Sequence, residues 1–229
     1  MNDDMTFCGQ HDQGFAIDGR TYSWPPGSHL TWSFNFTRLG SLTADDIRQA
    51  ITAALTEISN ACNVTHEYVE NFNAANIKIT LQRLDGASGV LADCQIPVGN
   101  VSVNKTDLLM RIDDSEAWGL FENPPANKID FYRVVLHELL HGHGLGHKPD
   151  SIPGIALIAP LYSRQVRNLQ AADKAELVRR YGPAKVATMP TTPTTPDPTV
   201  PPGVKPIAKL EVTIGGQVWI AEGTLKLKG

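Results

Sequence analysis

Residues 137–147 read HELLHGHGLGH and hold four of the chain's seven histidines. On an α-helix, residues four apart lie on one face, so His137 and His141 can direct their imidazoles at one point. His147 can reach the same point only if the helix ends before it, and Gly144 can take the positive φ that such a reversal requires. The segment therefore predicts a helix that ends near Gly144, with three histidines converging on one point.

These three histidines suit a catalytic zinc site. Three neutral imidazoles leave one tetrahedral position open for water, which is the arrangement of catalytic rather than structural zinc. Zinc lowers the pKa of that water to about 7, and the adjacent Glu138 carboxylate can take its proton as general base. His143 lies about 200° round from His141 and is expected to face away from the metal. The alternative is a helix whose histidines are simply solvated or buried. Gly144 and His147 stand at the positions that the longer zinc-binding motif requires, and this favours the zinc site over the alternative.

The bulk composition is that of an ordinary soluble protein and excludes several classes of function. The 229 residues allow one good-sized domain plus an appendage. The net charge of −4 is spread along the chain without a basic block, so no nucleic-acid partner is predicted. The longest apolar stretch, around residues 155–162, is too short to cross a bilayer, so no membrane partner is predicted either.

The N-terminal residues and the cysteines add two further expectations. The chain begins MNDD and no apolar segment follows, so no signal peptide is expected in it. The three cysteines are too few for a disulfide scaffold, and at least one is unpaired within the chain.

Hydrophobic periodicity predicts mixed α and β structure up to about residue 184. Thr43, with Asp46 three residues later, is expected to cap an amphipathic helix. A second helix is expected from about Asn127 to Leu140, and a third over 169–181, ended by Gly182 and Pro183. Alternating or apolar runs predict strands over 29–36, 64–69, 76–82, 90–98 and 108–112.

The composition changes after the third helix. Residues 185–206 are rich in Pro and Thr, which predicts an extended linker. Residues 207–229 alternate apolar and polar residues on either side of Gly215-Gly216, which predicts a β-hairpin. Because a lone hairpin is marginally stable, we expect it to dock to another protein, to self-associate or to belong to a longer chain. The expected domains are thus a 1–19 N-terminal segment, a 20–184 catalytic domain, the 185–206 linker and the 207–229 hairpin.

The HExxHxxGxxH pattern resembles that of the metzincins, and its surroundings resemble the matrixins, the matrix-metalloproteinase subgroup. The similar segments are the loop at 85–92 (DGASGVLA), RIDDSEAW at 111–118, ALIAPLY at 156–162 and LQAADKAELVRRYG at 169–182. The resemblance implies an α+β, zincin-like fold: a twisted mixed sheet with an active-site helix and a C-terminal helix. It also implies an extracellular zinc endopeptidase that hydrolyses peptide or protein substrates through a zinc-activated water.

The chain departs from the matrixin pattern at two places. Ile158 stands where the family has the methionine of the turn beneath the zinc, and an apolar residue of similar size is a plausible substitute. The family's second, structural zinc is not expected, because Asp93 and Arg111 occupy two histidine positions and the loop that supplies the other ligands is short. One Zn²⁺ per chain is therefore predicted.

Three acidic residues correspond to the family's calcium positions. Asp85, Asp113 and Glu116, together with turn carbonyls, are reasonable oxygen ligands for Ca²⁺. The same residues also suit turn and capping hydrogen bonds, and both interpretations stay open.

Further resemblances concern the regulation and the pocket of the site. Cys8, in the segment CGQHD, resembles the propeptide cysteine whose thiolate blocks the catalytic zinc, with Phe7 in place of the family's arginine. The alternative is a free cysteine on a flexible end. Pro160, Leu161 and Tyr162 are expected to form the outer wall of the pocket for the substrate residue after the cleaved bond.

Arg133 lies one helical turn before His137 on the same face. In matrixins the residue at this position can reach the floor of that pocket, where an arginine would favour medium-sized apolar side chains over long aromatic ones. The alternative is a solvated surface arginine.

A rival function is a binding or structural module that keeps the metzincin fold without turnover, as part of a larger assembly. The substituted methionine, the missing second zinc and the C-terminal hairpin favour it. Glu138 favours the enzyme, because a module without turnover has no need of the general base.

Overall fold

The computed structural model describes Cys8 and residues 23–97, 107–147, 156–159, 161–185, 207–214 and 217–224. The rest of the 1–19 segment, Pro160 and residues 186–206 of the expected linker lie outside the described residues. The chain divides into two compact units, Met1–Lys185 and Val186–Gly229.

The first unit is built on a five-stranded, mostly parallel sheet. Its strands are β1 (His29–Phe34), β4 (Thr65–Tyr68), β5 (Ile77–Gln82), β6 (Ala92–Cys94) and β7 (Leu108–Asp113), in the order β4-β1-β5-β7-β6. Only β6 runs antiparallel to its neighbour, β7. The two-residue strands β2 (Arg38–Leu39) and β3 (Leu42–Thr43) pair with each other, as do β8 (Trp118–Gly119) and β9 (Ile129–Asp130). The expected α+β class is confirmed.

Helix α1 (Ala44–Ala61) begins at the capping box that the sequence predicts. Thr43 Oγ1 accepts a hydrogen bond from the Asp46 backbone N–H, and the Asp46 carboxylate accepts one from the Thr43 N–H. Six residues of one face are buried, and each Ile or Leu among them stabilises the fold by about 1.5–3 kcal/mol. They are Ile47, Ala50, Ile51, Ala54, Leu55 and Ile58.

Helix α2 (Phe131–Gly142) carries the histidine motif and lies in the centre of the unit. Every residue of it except His137 is buried, which is typical of a helix packed on all sides. It begins four residues later than the expected start at Asn127. The reason is that Ile129 and Asp130 pair with Trp118 and Gly119 in the β8–β9 ladder, which holds that part of the chain extended.

Helix α3 (Ala171–Tyr181) ends at Gly182, which has a φ of +76°, the left-handed conformation expected of a helix-ending glycine. The described part of the second unit consists of β10 (Ile207–Ile214) and β11 (Gln217–Thr224), which pair antiparallel from Ile207↔Thr224 to Ile214↔Gln217. That pairing agrees with the expected hairpin, and its docking to a partner stays a prediction.

Candidate metal centre

The structure brings His137, His141 and His147 together as an almost equilateral triangle. Their Nε2 atoms are separated by 3.2 Å (His137 to His141), 3.2 Å (His141 to His147) and 3.3 Å (His137 to His147). Three nitrogens that surround one zinc tetrahedrally at about 2.0–2.1 Å lie roughly 3.3 Å from one another. The triangle therefore has the dimensions of one face of a zinc coordination tetrahedron.

Backbone carbonyls set the tautomers of two of these rings. His137 Nδ1 lies 2.7 Å from Leu157 O and His141 Nδ1 lies 2.7 Å from Leu145 O. A carbonyl only accepts hydrogen bonds, so both Nδ1 atoms carry the proton and both Nε2 atoms present a lone pair. Burial lowers the pKa of His137 to about 3 and that of His141 well below its usual value, so both rings are neutral. Neutral rings with inward lone pairs form a donor set that fits a divalent cation.

The reversal after α2 is the one the sequence predicts. Gly144 has a φ of +81°, and the chain turns there so that His147 faces the helix. Two side chains from distant segments fix this end of α2: Trp24 Nε1 donates to Gly142 O at 2.8 Å, and Tyr181 Oη donates to His143 O at 2.7 Å.

His143 lies outside the triangle. Its Nδ1 is 2.6 Å from Leu139 O and its Nε2 is 2.9 Å from His66 Nε2. The ring is buried and occupied by these two contacts, in line with the expectation that it faces away from the other three histidines.

Glu138 is buried beside the triangle, with 1% of its surface exposed. Its Oε2 has no hydrogen-bond partner among the described residues. Burial raises the pKa of this carboxyl to about 8. A cation in the histidine triangle would act in the opposite direction and favour the carboxylate, the form that a general base needs.

Cys8 completes the cluster. Its Sγ is 3.4 Å from His141 Nε2, and the four potential ligand atoms of Cys8, His137, His141 and His147 all lie within 4.8 Å of one another. For a tetrahedral zinc with one sulfur ligand at about 2.3 Å, the sulfur-to-nitrogen distance is roughly 3.5 Å. The distance from the Cys8 sulfur to His141 Nε2 therefore matches that of two ligands of one tetrahedral zinc.

The turn beneath the triangle depends on Asp173, a residue that sequence reasoning missed. Its buried carboxylate accepts hydrogen bonds from the backbone N–H groups of Leu157, at 2.9 Å, and Ile158, at 3.3 Å. This positions the Leu157 carbonyl that holds His137. Ile158 is 1% exposed and fills the place of the family's methionine with an apolar side chain. The capping pattern around Gln170 could have identified Asp173 as a helix cap, but nothing local signals its contact with the turn.

A cleft adjoins the triangle. Arg133, Leu161 and Tyr162, three of the four residues expected in the substrate pocket, contribute to its walls. Arg133 is 2% exposed, so it is not the solvated surface residue of the alternative interpretation. The full lining consists of Cys8, Leu91, Arg133, Val134, His137, Glu138, Ala156, Leu157, Ala159, Leu161, Tyr162, Ser163 and Val166.

The three acidic residues at the expected calcium positions accept backbone hydrogen bonds. Asp113 Oδ2 accepts from the N–H groups of Leu84 and Asp85 at 3.0 and 3.1 Å. Glu116 Oε1 accepts from the Ser88 N–H at 2.6 Å, and Asp85 accepts from the Val90 N–H. These contacts are the turn and capping chemistry of the alternative interpretation.

At the positions of the family's second zinc, Asp93 and Arg111 form a two-pronged ion pair between β6 and β7. Arg111 Nε donates to Asp93 Oδ1 at 2.8 Å, and a second guanidinium nitrogen donates to Oδ2. The pair links the two strands.

Among the described residues, no helix is both long enough and apolar enough to cross a membrane.

Comparison with known proteins supplies the family. Matrix metalloproteinase-25 of Mus musculus is 29% identical over 165 residues, which cover 67% of this chain and 26% of that protein. Metalloendoproteinase 1-MMP of Arabidopsis thaliana is 25% identical over 159 residues, which cover 67% of this chain and 43% of that protein. The matched region thus spans less than half of the length of either relative. The matrixin family model matches residues 23–182, which contain the whole sheet, all three helices and the histidine triangle. The chain therefore belongs to the matrixin family.

Proposed function

We propose that this matrixin domain is a zinc-dependent endopeptidase with His137, His141 and His147 as ligands and Glu138 as general base. The observation that carries the proposal is the triangle of Nε2 atoms, 3.2–3.3 Å apart, with a buried carboxylate beside it. A buried carboxylate with one oxygen that has no hydrogen-bond partner lowers the stability of the fold. A catalytic role would explain why Glu138 is kept at this position.

The chemistry divides between the metal and the protein. Zinc, when bound, would polarise the scissile carbonyl and lower the pKa of the attacking water to about 7. Glu138 takes the proton from that water and then gives it to the leaving amine. Leu161 and Tyr162 form the outer wall of the pocket that receives the substrate residue after the cleaved bond, and Arg133 limits the depth of that pocket.

The decisive experiment is cleavage of a diverse peptide library by the full chain, with and without a chelator, alongside metal analysis. Chelator-sensitive cleavage together with about one bound zinc per chain supports the proposal. Zinc binding without any cleavage would support the rival function, a non-catalytic module. Cleavage that persists after complete zinc removal would refute the zinc-dependent mechanism.

We further propose that Cys8 restrains the enzyme. A thiolate is a good zinc ligand, and metal coordination deprotonates it even though a free cysteine has a pKa of about 8.5. Tethering within one chain gives an effective concentration in roughly the millimolar range, enough to compete with dilute substrate. Since Phe7 cannot make the ion pair that the family's arginine would make with Asp12, we expect partial latency.

Replacing Cys8 with Ser, or removing residues 1–14, should therefore raise the initial rate of peptide cleavage severalfold and leave the cleavage pattern unchanged. The replacement Cys62→Ser serves as control, because that thiol is buried and bonded to Ile58 O, away from the cluster. Equal initial rates for the intact, substituted and trimmed proteins would show that Cys8 is only a spare thiol.

Calcium is proposed as a structural cofactor at Asp85, Asp113 and Glu116. Independently of calcium, Asp113 stabilises the surrounding turns by accepting hydrogen bonds from Ser115, Asp85 and Leu84. Burial alone raises the pKa of Asp113, but these hydrogen bonds outweigh burial, so the pKa lies below its ordinary value. A depressed carboxyl pKa stabilises the fold above the unfolded value of about 4, and this contribution disappears as the pH falls through the folded pKa.

Asp113→Ala should destabilise the protein by about 3 kcal/mol at pH 7, a fall in melting temperature on the order of 5–10 °C. The difference in melting temperature between the variant and the unaltered protein should become smaller as the pH falls toward 3. Asp114→Ala, which removes a neighbouring exposed carboxylate, should change the melting temperature little. Melting curves with and without Ca²⁺ separate the two roles. If the melting temperature falls only in calcium-containing buffer, Asp113 is a metal ligand. If it falls equally in both buffers, Asp113 acts only as a turn cap.

An extracellular location and a peptide or protein substrate complete the proposal, both inferred from family membership. Finding the native protein in the cells rather than in the surrounding medium would contradict the location.

A further inference from the structure

Arg133 occupies an unusual electrostatic position in the cleft. Its guanidinium donates to two backbone carbonyls, Ser163 O and, at 2.7 Å, Arg164 O. It also lies over the ring of Tyr162, 5.1 Å from the ring centre. All of these partners are neutral, and the Arg133 Nε has no hydrogen-bond partner among the described residues.

Two other arginines near α2 and α3 have carboxylate partners. Arg167 pairs with Asp130 at 2.8 Å and the buried Arg180 pairs with Glu176 at 2.9 Å. Among the described residues, no carboxylate lies within ion-pair distance of Arg133. Its closest acidic neighbour in sequence, Asp130, is already bound to Arg167. A buried cation without a counter-charge costs free energy, and a ligand that brought a negative charge would offset that cost.

The position of Arg133 relative to the triangle indicates which part of a substrate it meets. It lies one helical turn before His137, and both side chains line the same cleft. A peptide whose scissile bond lies at the histidine triangle can therefore direct the side chain that follows that bond toward Arg133.

We propose that the cleft selects substrates with glutamate immediately after the cleaved bond, through an ion pair between that carboxylate and Arg133. This inference rests on the proposed peptidase function and specifies its substrate class. An arginine in the wall leaves room for a medium-sized side chain, as the sequence predicts. The charge of Arg133 changes the preferred chemistry at the tip of that side chain from apolar to anionic.

The test compares four peptides that differ only at the residue after the cleaved bond. This residue is Glu, Gln (the neutral isostere of Glu), Leu or Phe. With the full zinc-loaded chain, kcat/KM for the Glu peptide should exceed that for the Gln and Leu peptides about tenfold or more, as expected for a hydrogen bond between two charged groups. Arg133→Leu should abolish this preference and improve cleavage of the Leu and Phe peptides. Arg133→Lys keeps the cation and should retain part of the preference. Arg48→Leu, an equal loss of charge on exposed α1, should leave all ratios unchanged.

Two results would overturn the proposal: equal or faster cleavage of the Leu peptide by the unaltered protein, or a Glu preference that survives Arg133→Leu. Zinc content and melting temperature show whether each variant is folded. If Arg133→Leu does not fold, Arg133→Lys still provides the test.

A binding measurement separates this proposal from the peptidase proposal. Zinc-loaded Glu138→Gln, titrated with the same peptides, should bind the Glu peptide about tenfold more tightly than the Leu peptide, and adding Arg133→Leu should remove the difference. If the unaltered zinc-loaded protein cleaves no peptide but the Glu138→Gln variant shows the binding preference, the peptidase proposal fails and the proposed selectivity stands. If peptides are cleaved but both bind equally, the selectivity fails and the peptidase stands.

Discussion

Replacing Glu138 with glutamine should lower kcat roughly 10²–10⁴-fold, the range by which a positioned general acid or base accelerates a reaction. Glutamine keeps the shape of the side chain but cannot take a proton from the attacking water. None of the three histidines is altered, so zinc content should stay at about one per chain. The Michaelis constant should change little, because Glu138 acts on the water rather than on the peptide.

The matched control is Glu67→Gln, the same substitution at a side chain that is 61% exposed and bonded to His29 on the surface of the sheet. It should keep full activity. Retention of more than a few per cent of kcat by a zinc-loaded Glu138→Gln variant would contradict the role of general base. Loss of zinc from that variant would make it uninformative about proton transfer, and activity would then have to be compared per bound zinc.

The sequence predicts most of the site because the relevant geometry is local. The i, i+4 spacing of His137 and His141 and the positive φ of Gly144 follow from helix geometry and from glycine's lack of a Cβ. The N-terminus of α1 is equally local, since the capping box joins residues only three apart. These features need no knowledge of the rest of the fold.

The parts that sequence reasoning missed depend on contacts between distant segments. The start of α2 is set by the pairing of Ile129 and Asp130 with a strand about ten residues earlier, which helix propensity does not contain. Asp173 meets the turn at Leu157 only after α3 has packed. The burial of Arg133 similarly depends on the carbonyls of Ser163 and Arg164, about 30 residues further along the chain.

Cys8 shows a case in which the sequence left two interpretations open. The segment CGQHD keeps only part of the family's pattern, so the residues alone favoured a free thiol. The structure places its Sγ 3.4 Å from His141 Nε2, a contact across 133 residues of the chain. Whether this contact lowers activity is the question that the comparison of Cys8→Ser with Cys62→Ser answers.

Replacing His141 with alanine should remove zinc almost completely, and with it all cleavage. This ring is fully buried, and its Nε2 is 3.2 Å from both other imidazole nitrogens. The variant is made in the protein that lacks residues 1–14, so that Cys8 cannot replace the lost ligand. Only two protein nitrogens then remain, too few for a catalytic zinc site, which has three protein ligands. Zinc measured after gel filtration should fall from about one equivalent per chain to near zero.

His143→Ala is the matched control, because it removes an equally buried imidazole two residues away. Its ring contacts His66 and the Leu139 carbonyl rather than the triangle, so the variant should keep about one zinc even if it melts at a lower temperature. Zinc lost from His143→Ala but retained by His141→Ala would reverse the ligand assignment. A second tightly bound equivalent in the unaltered protein would show that the Asp93–Arg111 ion pair has not replaced the family's second zinc site. The paired variants thus separate loss of a ligand from loss of a buried histidine, since only the first changes zinc content without requiring the protein to unfold.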